Sequence, residues 1–304
     1  MSTLRFHTLD VFTDRRFGGN PLAVVLDGGD LDGPTMQLIA REFNLSETAF
    51  VLPVSDAGAT HRVRIFTPVR ELPFAGHPTL GTAILLARLE AAHPNPGGEA
   101  LVVLEEGVGL VPVSVRSTGG ETWFGQFTAA RLPEPGPPAP EVASLASALG
   151  LTPGEIMTGD GDRPEAYSCG LPYLMVPVRD RAALARVCVV EEHWRRSLRD
   201  YWAPDMYVFC RDTGQPDSAI RARMFAPASG IVEDPATGSA AAAMAGYLHA
   251  RDGGSGTLRW TLEQGVEMGR PSLLYLEADA RGGSITEVRV GGGAVPVLEG
   301  VLAL

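Results

Sequence analysis

Arg62-Val63-Arg64-Ile65-Phe66-Thr67-Pro68 and Arg221-Ala222-Arg223-Met224-Phe225-Ala226-Pro227 are two copies of one pattern, set 159 residues apart. A second match follows each. His77-Pro78-Thr79-Leu80-Gly81-Thr82-Ala83 pairs with Asp234-Pro235-Ala236-Thr237-Gly238-Ser239-Ala240 at an offset of 157. Each copy reads as a strand, a Phe-x-Pro turn, a polar residue before proline, then glycine, a hydroxyl residue and a helix. The change of two in the offset is a small deletion between strand and helix. Two matches in one order, with the same elements, indicate a duplicated domain. The duplication predicts two similar lobes facing each other across a cleft. It puts His77 and Asp234 at matching positions, each just ahead of a helix.

Working outward, Arg5 to Phe12 and Leu22 to Leu26 read as strands around a Gly18-Gly19-Asn20-Pro21 turn. Pro34 opens a helix in which Met36, Ile39 and Phe43 recur at helical spacing. Strands are expected at 49–52, 62–66, 101–104 and 110–115, with a helix over 79–92. Leu132 to Pro140 is a proline-rich loop or linker, and Glu141 to Leu149 a short helix ended by Gly150. Strands follow at 173–178, 206–210 and 219–225, then an Ala-rich helix over about 236–250. The tail reads as strands at 273–277, 285–290 and 294–302, with Gly291-Gly292-Gly293 as a bulge or turn.

The chain of 304 residues carries a net charge of −11, so it offers no basic footprint for nucleic acid or anionic lipid. Its 25 basic residues are all arginine. Without lysine there is no Schiff-base nucleophile and no Walker A lysine, which excludes PLP enzymes, class I aldolases and P-loop NTPases. Cys169, Cys188 and Cys210 are too few and scattered for a disulfide scaffold or a metal knuckle, and with no signal peptide they read as reduced thiols in a cytoplasmic protein. No apolar run is long enough for a membrane span. His7, His61, His93, His193 and His249 are unclustered, so no metal site is expected.

The chemistry is expected at the two helix starts. A helix N-terminus has unpaired N–H groups and partial positive charge. Gly81 and Gly238 let a ligand approach closely, and Thr82, Thr237 and Ser239 add hydroxyls. Two such ends aimed at one cleft would trap an anion, most simply a carboxylate. Ordinary capping by Thr79, Asp234 and Thr237 is the competing reading. For proton transfer His77 titrates in the right range, and burial can bring Asp234, Glu233 and Glu47 into it. Glu47 lies between a predicted helix and strand, where a loop would present it.

Five blocks resemble one family. They are Asp10-Val11-Phe12 with Phe17-Gly18-Gly19-Asn20-Pro21-Leu22-Ala23-Val24; Asn44-Leu45-Ser46-Glu47-Thr48-Ala49-Phe50; Phe74-Ala75-Gly76-His77-Pro78-Thr79-Leu80-Gly81; Glu233-Asp234-Pro235-Ala236-Thr237-Gly238-Ser239-Ala240; and Gln264-Gly265 with Met268-Gly269-Arg270-Pro271-Ser272. In this order they resemble the PhzF family of phenazine-biosynthesis-like isomerases. The resemblance implies an α+β fold shared with diaminopimelate epimerase: two similar lobes, each an antiparallel sheet or barrel around a central helix. The expected lobes are 1–118 with about 292–304, and 119–291. It also implies cofactor-independent movement of a proton on a small carboxylate-bearing substrate, in a homodimer. Glu47 would be the acid/base, His77 and Asp234 its polar partners, and Ser46, Gly76, Gly81, Thr237, Gly238 and Ser239 substrate-binding positions. Diaminopimelate epimerases and proline racemases carry paired cysteines at the two helix starts. None stands there in this chain, which favours carboxylate chemistry. The alternatives are a carboxylate-binding protein without turnover, and a Rossmann-type dehydrogenase, which would need a GxGxxG that the chain lacks.

Overall fold

A computed structural model describes residues 3–91, 98–119 and 122–304. Ala92, the expected end of the second helix, and His93 lie outside the described residues. The chain divides into two compact units, Met1–Thr128 with Gly291–Leu304, and Ala129–Val290.

The first unit contains β1 (Thr3–Val11), β2 (Asn20–Val25), α1 (Gly33–Phe43), β3 (Glu47–Leu52), β4 (His61–Phe66), β5 (Glu71–Leu72), α2 (Gly76–Glu90), β6 (Glu99–Glu106), β7 (Gly109–Ser117) and β8 (Trp123–Thr128). The turn between β1 and β2 holds Gly19 at φ +61°, where a Cβ would meet the Val11 carbonyl oxygen at 2.3 Å; only glycine fits. Asp32 caps α1 by accepting from the Thr35 N–H, and Pro34 sits in the first turn, where its missing N–H costs nothing. Asn44, at φ +50°, ends α1 and turns the chain into β3.

β3 runs parallel to β2, with Leu22 opposite Glu47. β4 is antiparallel to β3 and parallel to β6; β6, β7 and β8 form an antiparallel meander. The last strand of the chain, β17 (Ser284–Ala303), pairs with both β1 and β8. The strand circuit is therefore closed, and α2 runs through it, touching β1, β2, β3, β6, β7 and β8. Every residue of α2 from Gly76 to Ala87 is buried. A helix enclosed on all sides needs no polar stripe, which explains the apolar run Ala83–Ala87 in its body.

The second unit repeats this plan. Its elements are β9 (Glu134–Pro135), α3 (Val142–Ala148), β10 (Glu165–Ser168), β11 (Pro172–Pro177), α4 (Arg181–Arg186), α5 (Glu191–Ser197), β12 (Met206–Cys210), β13 (Ile220–Ala226), β14 (Ile231–Asp234), α6 (Gly238–Asp252), β15 (Gly256–Gln264) and β16 (Ser272–Arg281), with the first part of β17. β11 is parallel to β12, β13 antiparallel to β12 and parallel to β15, and β15 antiparallel to β16. This is the order of β2, β3, β4, β6 and β7. α6 takes the place of α2 and packs on β9, β10, β11 and β16. The duplicated α+β architecture read from the repeat is present.

Two expectations need correction. His77 lies inside the first turn of α2, not ahead of it, because the helix starts at Gly76. Asp234, by contrast, ends β14 and does stand ahead of α6, which starts at Gly238. Gly291-Gly292-Gly293 makes no turn; β17 runs straight through it. These glycines permit close approach: a Cβ on Gly292 would meet the Phe12 ring at 2.3 Å, and the Gly293 carbonyl accepts from the Phe12 and Thr13 N–H groups.

Gly81, in the second turn of α2, is held against β1 and β2. A Cβ there would meet Val11 Cγ2 at 2.6 Å and Leu22 Cδ2 at 2.7 Å. Gly81→Val overpacks this contact and is expected to destabilise the protein by about 1–3 kcal/mol. Urea unfolding followed by tryptophan fluorescence measures it.

Candidate active site

In the first unit the chain reversal at Asn44 places Glu47 at the first position of β3, opposite Leu22 of β2. Its neighbour Ser46 is half-buried. Glu47 is therefore not loop-borne as expected; its side chain is buried. Glu47 Oε2 lies 3.4 Å from His77 Nε2. His77 also hydrogen-bonds the backbone of Pro21. Proline has no N–H, so the carbonyl accepts and the imidazole donates. Nε2 makes no hydrogen bond, so Nδ1 carries the proton and the Nε2 lone pair faces Glu47.

Burial sets the charge of the pair. His77 has its pKa pushed down to about 3 by loss of water, against a smaller upward pull from the Pro21 carbonyl. At neutral pH the ring is uncharged. It can accept a hydrogen bond from a protonated Glu47, but it cannot serve as a cation. The contact is therefore one between a carboxyl group and a neutral imidazole, not a salt bridge.

A second buried carboxyl group touches the same first turn of α2. Glu106, at the end of β6, is buried, with Oε1 2.7 Å from Thr79 Oγ1 in the first turn of α2. Burial pushes its pKa up to about 8, opposed in small part by Thr79.

The second unit builds a different arrangement at the equivalent place. Asp234 is buried, and Thr237 Oγ1 donates to its Oδ2 at 2.5 Å. Gln264, the last residue of β15, organises the loop between Asp234 and α6. Its Nε2 donates to the Asp234 carbonyl at 2.8 Å and to Thr237 Oγ1 at 3.0 Å. Its Oε1 accepts from the Thr237 N–H and the Tyr207 hydroxyl, both at 3.2 Å. All four hydrogen-bonding positions of the amide are filled. Burial first, then the charge of Asp234, pushes the Tyr207 hydroxyl well up, so it stays a donor. Gly265, at φ +71°, lets the strand end approach Pro235, and Ser272 Oγ donates to the Pro235 carbonyl. At the start of α6, Gly238 is buried and Ser239 Oγ lies 2.7 Å from the Tyr173 hydroxyl.

The structure thus brings Glu47 to His77 in one unit, with Gly76 opening the same helix. It brings Asp234 to Thr237, beside Gly238 and Ser239, in the other. Gly81 is one turn further along α2, and its close contacts are side chains of the core. Glu233 is a structural partner: it binds Arg223 through two 2.8 Å contacts, and Arg223 caps the carbonyls of Leu184 and Val187 at the end of α4. Glu106, Tyr173 and the clamp role of Gln264 are absent from the residue-level reading. Glu106 left a signal: with Val102 and Leu104 it occupies the inward phase of β6, where a carboxylate is out of place. Among the described residues no three His, Cys, Asp or Glu side chains cluster as metal ligands, and no helix is long and apolar enough to cross a membrane.

The neutral state of His77 predicts acid lability. Its folded pKa lies below the ordinary 6.5, so the unfolded chain binds the proton first. Stability is complete above pH 6.5 and falls by about 1.4 kcal/mol per pH unit as pH drops toward 3. In His77→Gln, chemical denaturation at pH 4 to 6.5 should show this dependence reduced by about one proton.

Residues 9–300 match the family model for phenazine biosynthesis-like proteins, PhzC-PhzF. The chain is 44% identical to an uncharacterized isomerase of Mesorhizobium japonicum, covering 99% of both chains. It is 38% identical to the trans-2,3-dihydro-3-hydroxyanthranilate isomerase of Pseudomonas aeruginosa, covering 97% of this chain and 98% of that one. A Bacillus anthracis PhzF-family crystal structure superposes with a TM-score of 0.89 over the whole of both chains at 24% identity. A hydroxyproline epimerase from Agrobacterium vitis shares the fold at a TM-score of 0.63 and 18% identity, over 99% of this chain and 93% of that one. An enclosed helix in each of two repeated units, with a buried polar group at each helix start, is thus accompanied by full-length sequence likeness: the chain belongs to the PhzF family of isomerases.

Proposed function

We propose that the protein moves a proton between carbon atoms of a small carboxylate-bearing substrate, with Glu47 as the acid/base and no cofactor. The observation that carries this reading is the buried contact between Glu47 and the Nε2 lone pair of a neutral His77. Such a partner holds the acid form of Glu47 in a fixed direction and leaves the carboxylate form able to take a proton back. A positioned acid/base of this kind contributes about 10²- to 10⁴-fold. Proton removal from carbon leaves negative charge on the substrate. The N–H groups at the start of α2 supply a fixed positive end for that charge, and Gly76 is the position nearest it, with Ser46 next to Glu47. In the second unit Gly238, Ser239 and Thr237 are the substrate-binding positions at the start of α6, where Thr237 and Gln264 hold the orientation of Asp234. His77 cannot donate from Nε2, so the anion is stabilised by the helix end, not by imidazolium. The working form carried over from the family resemblance is a homodimer.

Thiol chemistry is disfavoured by placement. Burial pushes Cys169 and Cys210 up to about 12, and Cys188 is exposed after α4. None lies at the start of α2 or α6. The trans-2,3-dihydro-3-hydroxyanthranilate named for the Pseudomonas relatives sets the first compounds to test: anthranilate-like acids, then hydroxy and amino acids.

Two outcomes check the reading. In deuterated water the wild type incorporates deuterium into a compound of this set, and Glu47→Gln slows incorporation at least about 100-fold while binding it within a few-fold. Unchanged exchange in Glu47→Gln removes Glu47 from the proton path, and binding without exchange in the wild type identifies a carboxylate-binding protein. Alkylation by iodoacetamide should leave the exchange rate within about twofold; loss of exchange would restore a thiol mechanism.

A further inference from the structure

The reaction proposed above leaves Glu106 unused, although its carboxyl group is buried at the start of the same helix. Thr79 Oγ1 lies 2.8 Å from the Ala75 carbonyl oxygen and 2.7 Å from Glu106 Oε1. A hydroxyl has one proton, and a carbonyl can only accept. When Thr79 donates to Ala75, the hydrogen in its contact with Glu106 must come from Glu106. Glu106 Oε2 makes no hydrogen bond at all, and the residue is only 7% exposed. An ionised carboxylate in that position would leave its charge with one donor at most, which is costly away from water. A carboxylic acid needs only one acceptor for its proton, and Thr79 provides it.

We propose that Glu106 works as a neutral carboxylic acid, a positioning residue whose proton orders Thr79 and Ala75 and which adds no buried negative charge of its own at the start of α2, so that this end accepts the substrate's carboxylate. The second half rests on the substrate reading above; the first does not. The surroundings are consistent from every side. From the start of α2 come Thr79, the Ala75 carbonyl and, two residues from Thr79, the uncharged His77, with the Glu47 carboxyl group of β3 beyond it at 3.4 Å. Across β7 the opposite residue is Gly109. Pro73 packs on Gly107. Glu105, next in the chain, is tied to Ser55 and to the Asp56 N–H, with Arg62 beside it. The upward shift of Glu106 comes from burial and not from any neighbouring charge.

Two measurements on the full-length protein test this. Carbon-13 NMR of carboxyl-labelled glutamate in the wild type should show one side chain titrating near pH 8, missing in Glu106→Gln. Titration of that carboxyl near 4.5 overturns the proposal. Calorimetric binding of anthranilate, whose own charge is constant in this range, should weaken about tenfold between pH 7 and pH 9 in the wild type. In Glu106→Gln, which keeps a donor for Thr79 but has no charge to gain, the affinity should stay flat. The same alkaline loss in Glu106→Gln overturns the link to anion binding. If anthranilate fails to bind at pH 7, the substrate reading fails, and the carboxyl titration still decides the state of Glu106. If Glu106→Gln does not fold, Glu106→Asp supplies the reference for assigning the wild-type resonance.

Discussion

A helix whose first turn is sheathed by strands cannot begin in water, and the chemistry of this protein follows from that constraint. The first turn of any α-helix exposes N–H groups without intrahelical partners. On a surface helix water satisfies them. Here the first turn of α2 is buried together with its body, so polar side chains must gather around it. Glu47, His77, Thr79 and Glu106 are that gathering, brought from β3, α2 and β6. The apolar ring that stabilises the helix also removes the water that would otherwise set their charge states. His77 is driven neutral and Glu106 is kept protonated by the same loss of solvent, although one is a base and the other an acid.

The two units answer the constraint differently. In the first, the helix begins at Gly76 and its polar groups are titratable. In the second, the helix begins later relative to the repeat, and an Asp–Thr–Gln lattice precedes it. Gln264 has no charge to lose and all four of its hydrogen-bonding positions in use. One start is thus rich in groups whose protonation can change, while the other is held in a fixed pattern centred on Asp234. The two units thus differ in the residues before and within the first helical turn, while the strand order around them is the same.

Much of this was legible in the sequence because repetition and burial leave periodic marks. The matched Arg-x-Arg-x-Phe-x-Pro strands became β4 and β13, and the helices that follow them became α2 and α6. What escaped was set by tertiary contact. β10 and β14 are only four residues long and their pairing partners complete them, whereas β8 and the alternating Leu258-Arg259-Trp260-Thr261-Leu262 of β15 did carry a local strand pattern. Gly291-Gly292-Gly293 looked like a turn because glycine is the same symbol for a reversal and for a tight crossing; only Phe12 and Phe124 lying against it distinguish the two. Gly81 carried the same ambiguity. Glu47 and His77 could be named from their motifs. That the imidazole must present its lone pair to the carboxyl group depends on Pro21, which lies 56 positions before His77 in the chain.

β17 gives the molecule an unusual assembly order. Its residues 294–303 pair with β1 along nearly the full length of that strand, from Thr3 against Ala303 to Val11 against Ala294. All of Ala129–Val290 is synthesised between these partners. The first-translated unit must therefore wait, with one flank unzipped, until the second has emerged from the ribosome. Contacts spanning so much of a chain slow folding, because the entropy of closing the loop is lost before the pairing compensates it. During that interval β1 is an edge open to strand exchange, the point at which a nascent chain is most in need of a chaperone's cover.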